Sequence, residues 1–335
     1  MKSEVIQLRV LHAPSEIAGQ MNTLCEGLRR TGADAVGFNW FQSYLDYPGS
    51  AVFQTDAYEM MGLLDYVRRK ECLFHFHNGN SLMVNNEDLP LLDAAGYPMV
   101  MHHWGSDVRS ASLSRKLNPY PLPAGYLTDQ EIHERLKRLS ASISHAIVQD
   151  AELYPHVKDY YRHVHILPLA VDVRRYRPNY PRADMQRLRI VHAPTRPAFK
   201  GTSYVEAAIA DLKRKHPVEY VRIQNMSHQE AIRLYAEADL IIDQLLCGTY
   251  GMLAVEAMAM GKPVVAYIRE DVRRSLPPSL PIIQAAPETI LAVLKQIASQ
   301  PEQLRHIGKA SRDYVRQRHD VSAVIPQLLA IYKQL

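Results

Sequence analysis

Three segments of the chain carry residue types whose spacing could support chemistry. The first is Asp243-Gln244-Leu245-Leu246-Cys247-Gly248-Thr249-Tyr250-Gly251-Met252-Leu253-Ala254-Val255-Glu256, continuing to Gly261 and Pro263. An apolar strand, a loop holding Gly248 and Gly251, a helix, Gly261 as its stop and a further apolar strand follow in order. The loop's amides open that helix, where unpaired N–H groups and the macrodipole favour an anion. Glu256 falls one turn in. Its carboxylate could accept two ribose hydroxyls or simply complement the helix dipole, and spacing leaves both readings open.

The second segment is Thr195-Arg196-Pro197-Ala198-Phe199-Lys200-Gly201. Two cations four residues apart on one loop can reach a diphosphate together, Arg196 as a planar fork and Lys200 as a point charge. The third is Val100-Met101-His102-His103-Trp104-Gly105-Ser106-Asp107-Val108-Arg109, with His75 and His77 on another strand end. The His-x-His spacing puts two rings on one strand face and raises a metal site. No cysteine or carboxylate at ligand spacing accompanies them, so substrate hydrogen bonding or a satisfied core position is expected instead.

The elements that position these segments are visible in an internal repeat. Leu11-His12-Ala13-Pro14-Ser15 recurs as Val191-His192-Ala193-Pro194-Thr195. Each copy follows an apolar strand and precedes a glycine loop (Gly19, Gly201) and an amphipathic helix. Further strands are predicted at 72–76, 98–102, 146–149, 220–223, 240–243, 263–268 and 281–283, alternating with helices. The fold class is therefore α/β, with two Rossmann-like, doubly wound parallel sheets in tandem. Pro168 to about Arg189 reads as the linker. Neither half carries GxGxxG after its first strand, a P-loop or a GxSxG elbow, which argues against nicotinamide, NTPase and serine-hydrolase chemistry.

At 335 residues the length suits about two domains. Three cysteines without a CxxC pair exclude a disulfide scaffold and a zinc ribbon. No apolar run nears the roughly 18 residues of a membrane helix, and Glu4 interrupts any secretory leader, so a cytoplasmic location is expected. Residues 1–170 carry 15 Lys and Arg against 19 Asp and Glu, and the remainder 24 against 16. The basic second half suits an anionic small molecule, without the patterned patch of a nucleic-acid binder. Arg174, Arg175, Arg177, Arg182, Arg187 and Arg189 form either a solvated linker face or a phosphate strip.

On these residues the chain resembles a GT-B glycosyltransferase, specifically the large retaining family numbered four, over nearly its whole length. Glu256-Ala-Met-Ala-Met-Gly-Lys-Pro-Val-Val matches the second half of that family's motif of two glutamates separated by seven residues. Arg196 and Lys200-Gly201 resemble its diphosphate-binding residues, and His165-Ile-Leu-Pro168 through Tyr176-Arg-Pro178 resembles the segment ending its first domain. Gly19 resembles the glycine of its first loop. Three positions depart: Gly248 stands where the first glutamate belongs, Leu169-Ala170 replaces Asn-Gly, and Trp104 rather than histidine precedes Gly105.

The resemblance implies two Rossmann-like domains facing a cleft, residues 1–168 for the acceptor and 169–318 for the donor, with a helix in 319–335 crossing back. It implies retaining transfer of a sugar from a nucleoside diphosphate sugar to a sugar, lipid-linked or small-molecule acceptor, without metal or other cofactor. Donor contacts would come from Gly19, Arg196, Lys200, Gly248, Thr249, Tyr250, Gly251, Met252 and Glu256. Catalysis would rest on Arg196 and Lys200 stabilising the departing diphosphate, and on His102 or His103 orienting sugar or acceptor. Aromatics of 38–49 (Phe38, Trp40, Phe41, Tyr44, Tyr47) would stack on the acceptor or close the core. A GT-B epimerase, or a silent homologue suggested by Gly248, are the alternatives.

Overall fold

The computed structural model describes residues 8–43, 45–67, 72–182 and 184–335. Tyr44 and Glu4 lie outside the described residues. Seven strands form the first sheet: β1 (Arg9–Ala13), β2 (Asp34–Asn39), β3 (Val52–Gln54), β4 (Leu73–His77), β5 (Met99–His103), β6 (His145–Val148) and β7 (His163–Ile166), in the order β3-β2-β1-β4-β5-β6-β7. Five form the second: β8 (Leu188–His192), β9 (Val218–Arg222), β10 (Leu240–Ile242), β11 (Val264–Ala266) and β12 (Ile283–Gln284), in the order β12-β11-β10-β8-β9. Every pairing is parallel. Central strands such as β4, β5 and β10 are buried on both faces; β10 is wholly apolar, while β4 and β5 carry buried histidines toward their carboxyl ends.

The repeated pentapeptides end β1 and β8, the strands at which each sheet's winding reverses. In open α/β sheets ligands collect beyond the carboxyl ends of such strands. The likeness extends to backbone conformation. Gly19 (φ 71°) precedes helix Gln20–Arg29 and Gly201 (φ 74°) precedes helix Thr202–Leu212, each in the left-handed region that glycine enters without a Cβ clash.

One face of the first sheet packs Val10, Leu73, Val100 and Ile147 under helix Gln20–Arg29 and the last helix, Val321–Tyr332. Gly27 permits that approach, since a Cβ there would lie 2.6 Å from Ile325 Cδ1. Val324, Ile325 and Leu328 are buried in this layer, each contributing about 1.5–3 kcal/mol by leaving water. The chain passes between the two sheets twice, side by side: Val171 N donates to His319 O (2.8 Å) and Val321 N to Val171 O (2.9 Å). Four of the six arginines of the predicted linker are ion-paired rather than gathered into a strip. Arg174 binds Asp172, Arg175 binds Glu26, Arg182 binds Asp184 and Arg189 binds Glu237. No helix among the described residues is long and apolar enough to cross a membrane.

Candidate functional site

The loops after β1 and β8 face one another across a cavity of about 630 Å³, lined among others by Glu16, Asn39, Tyr47, Thr195, Lys200, His228, Met252 and Glu256. A second cavity of about 340 Å³ adjoins it and shares Ala18, Tyr47, His228, Met252 and Glu256 as wall.

Glu256 sits on helix Met252–Ala259, 2% exposed. Its Oε1 accepts from His228 Nε2 (2.6 Å) and from Tyr176 OH (3.1 Å). His228 opens helix His228–Glu237, whose start is fixed by the capping box of Ser227 and Glu230. This histidine escaped the sequence reading. The Ser227-x-x-Glu230 signature could have placed it at a helix start, but only the fold brings that start to Glu256.

Lys200 reaches the larger cavity while its Nζ donates to Asp243 Oδ1 (2.7 Å) and Gln244 Oε1 (2.7 Å). Asp243, fully buried, also accepts the Gly251 amide on Oδ2 (2.7 Å). The cation is thus fixed beneath the start of helix Met252–Ala259. Among the described residues no backbone partner takes the Met252 and Leu253 amides, which belong to the orphan donors of that helix. Arg196 goes elsewhere: its guanidinium donates to Ala124 O (3.2 Å) and lies over the Tyr126 ring (4.9 Å), and it lines neither cavity.

On the first-domain side Glu16 follows the repeat directly. Its carboxylate accepts the Met21 (2.9 Å) and Asn22 (2.8 Å) amides at the start of helix Gln20–Arg29. Burial nonetheless pushes its carboxyl up to about 7. Glu16 was not singled out in the sequence, because one glutamate beside a glycine loop has no distinguishing spacing.

The glycine loop differs from expectation. Residues 241–250 are buried throughout, and Gly248, Thr249, Tyr250 and Gly251 line neither cavity. The first domain covers the loop: Asn118 Nδ2 donates to Leu246 O (2.7 Å), and Thr249 Oγ1 donates to Asp150 Oδ2 (2.7 Å). Tyr250 OH meets Tyr314 OH (3.3 Å) and His319 Nε2 (3.0 Å). Met252 lines both cavities and Gly19 the smaller one.

The expected histidines lie elsewhere, since His102 and His103 line neither of these two cavities. Strand alternation sends them to opposite faces of β5. His103 is held by Asp107 Oδ2 (2.7 Å) and Tyr161 OH (2.9 Å) in the buried layer away from the cleft. His102 stacks under Trp104 (3.8 Å) and ends a hydrogen-bonded series. The Trp104 indole can only donate, so His77 Nδ1 must accept (3.3 Å). Each ring then passes the role on: His77 Nε2 donates to His12 Nδ1 (3.0 Å), His12 Nε2 to the Tyr332 hydroxyl oxygen (3.4 Å), the Tyr332 hydroxyl to His75 Nδ1 (2.7 Å) and His75 Nε2 to His102 Nδ1 (3.1 Å). One direction and one tautomer follow for all four rings. Burial holds these histidines neutral, that of His12 down to about 3. His12, His75 and His77 bring ring nitrogens within 4.8 Å of one another, but all six nitrogens already have partners in the series.

No protein-family model matches the chain. A mannosyltransferase named MMP α-(1→4)-mannosyltransferase, from Mycolicibacterium hassiacum, is 24% identical over 234 residues, 61% of this chain and 55% of that protein. The match thus spans about half the relative's length. Among solved structures, sucrose-phosphate synthase from Thermosynechococcus elongatus superposes with TM-score 0.61 at 14% identity, covering 98% of both chains. Anabaena HepE in complex with UDP-glucose gives 0.66 at 13% identity, over 98% of this chain and 99% of that one. WaaG, a glycosyltransferase of lipopolysaccharide biosynthesis, gives 0.62 at 12%, over 97% and 99%. The fold is GT-B, the two-sheet architecture these glycosyltransferases share.

Proposed function

We propose that the protein is a glycosyltransferase that moves a sugar from a nucleoside diphosphate sugar to an acceptor, with retention at the anomeric carbon. The observation that carries this reading is the 630 Å³ cavity at the two winding reversals, with Lys200, the Met252 and Leu253 amides and Glu256 on its second-domain wall. Lys200 and the helix-start amides would hold the diphosphate and stabilise its departure through fixed, preoriented dipoles and charge. Glu256 Oε2, which has no hydrogen-bond partner among the described residues, would accept the ribose hydroxyls. The acceptor would enter past Asn39, Phe41 and Gln42 of the first domain. The mannosyltransferase relative, and a GT-B neighbour holding UDP-glucose, support this substrate class.

The test is a thermal-shift panel of nucleoside diphosphates and their sugars, followed by product analysis with a labelled donor and anomeric assignment by NMR. A ligand that binds only the native state raises its melting temperature through RT ln(1 + [L]/Kd). No shift with any member would remove the reading. A second reading, a binding subunit without turnover, is favoured by Gly248: its φ of 87° and Arg269 Cβ, 3.0 Å from where a Cβ would lie, would strain a glutamate at the position of the family's first one. Nucleotide-sugar binding without hydrolysis or transfer across a broad acceptor panel would select that second reading.

A further inference from the structure

We infer that His228 is a positioning residue for Glu256 and that Tyr47, from the opposite domain, holds His228 in place, so that ribose recognition is completed across the cleft. This rests on the reading of Glu256 as the ribose-binding carboxylate. A glutamate side chain has three rotatable bonds, and burial alone does not choose which oxygen faces a ligand. Here His228 Nε2 and Tyr176 OH converge on the same oxygen, Oε1. The other oxygen is thereby aimed in one direction, on the wall common to both cavities.

His228 is fixed in turn by contacts that its own helix does not supply. Its amide donates to Leu45 O (2.6 Å), and its ring stacks on Tyr47 with centroids 4.1 Å apart and planes 28° apart. Leu45 and Tyr47 belong to the segment that follows β2. Tyr47 is seated over Gly19, where a Cβ would lie 2.8 Å from its Cδ1. The order Gly19, Tyr47, His228, Glu256 therefore runs from the first-domain glycine loop to the second-domain carboxylate. A cis-diol presented to Oε2 meets a preset acceptor only while the 45–47 segment is seated, which ties nucleoside selectivity to closure of the cleft.

The experiment is titration calorimetry of wild type, His228→Ala, His228→Gln, Tyr47→Ala and Tyr47→Phe with UDP, 2′,3′-dideoxy-UDP and pyrophosphate. Wild type should prefer UDP over the dideoxy analogue by about tenfold or more, the worth of one hydrogen bond to a charged group. In His228→Ala that ratio should fall below about threefold while pyrophosphate affinity stays as in wild type. His228→Gln, whose carboxamide N–H can still donate to Oε1, should recover part of the ratio. Tyr47→Ala should behave like His228→Ala, and Tyr47→Phe, which keeps the ring, like wild type. An unchanged UDP to dideoxy ratio in His228→Ala overturns the inference, as does a parallel loss of pyrophosphate affinity. If His228→Ala does not fold, Tyr47→Ala and His228→Gln carry the same test. Wild type that binds pyrophosphate yet treats the two nucleotides alike overturns the ribose reading, and wild type that binds neither overturns the proposed function.

Discussion

Lys200 and Arg196 look equivalent on paper, two cations on one loop, and the fold gives them different fates. Lys200 neutralises Asp243, a carboxylate with no exposure, which also anchors the Gly251 amide. Lys200→Ala should therefore destabilise the protein by about 3–5 kcal/mol, because it leaves a buried charge without its partner. It should also weaken nucleoside-diphosphate binding. Arg196→Ala removes a half-exposed contact to Ala124 and Tyr126 and should change stability by less than about 1 kcal/mol, with little effect on nucleotide affinity. Urea unfolding with parallel calorimetry separates the two, and equal loss of affinity in both variants would return Arg196 to the cavity. Glu256 was legible because a strand, a glycine loop and a helix stop bracket it at short range, and Lys200 because it lies between the repeated strand and Gly201. His228 and Glu16 were not, since their significance comes from neighbours tens of residues away that only the sheet order brings near.

Gly248 belongs to the scale of the element, because its conformation is set by the bridge it makes to Ile268 and by Arg269 behind it. With φ at 87° and Arg269 Cβ 3.0 Å from the missing Cβ, Gly248→Ala should cost about 1–3 kcal/mol and Gly248→Glu at least as much. Comparing their thermal melts checks this, and a Gly248→Glu variant as stable as wild type would mean that the loop can relax. Strands were legible where both faces are buried: the expected runs near β4, β5, β6 and β10 fall within one or two residues of the observed bounds. β2, β3 and β7 were missed. β2 (Asp34–Asn39) carries Gly37 and ends in Asn39, and β7 (His163–Ile166) alternates histidines with aliphatics at a half-exposed edge, so neither presents an apolar run. The His102 and His103 pair shows the same limit, for alternation was readable but which face would meet the cleft was not.

Across the whole molecule, buried neutral histidines set the acid side of stability. A histidine whose folded pKa lies below its unfolded value of 6.5 binds its proton more readily once unfolded, so its stabilisation is intact above pH 6.5 and declines as pH falls toward the folded value. For His12, held down to about 3, the loss should reach about 2 kcal/mol by pH 5. His156, His192 and His319, each lowered to about 4, act in the same sense. Glu16 and Asp150, raised to about 7 and about 6, act in the opposite sense, since the folded state holds their protons more tightly. The histidines outnumber them, so the urea midpoint should drop between pH 7 and pH 5. A flat midpoint over that interval would show that the relay is charged or hydrated.

The paired crossings at Val171 and His319 to Val321 have a kinematic consequence. A single covalent tether would leave two bodies free to swing, swivel and slide. Two tethers laced to each other act as a pin joint: rotation about the line through both remains, while swivel about the chain direction would have to break the Val171 amide and carbonyl bonds together. Any opening about that line would keep the carboxyl ends of β1 and β8 facing each other and would bring Tyr47 back to His228 along one path.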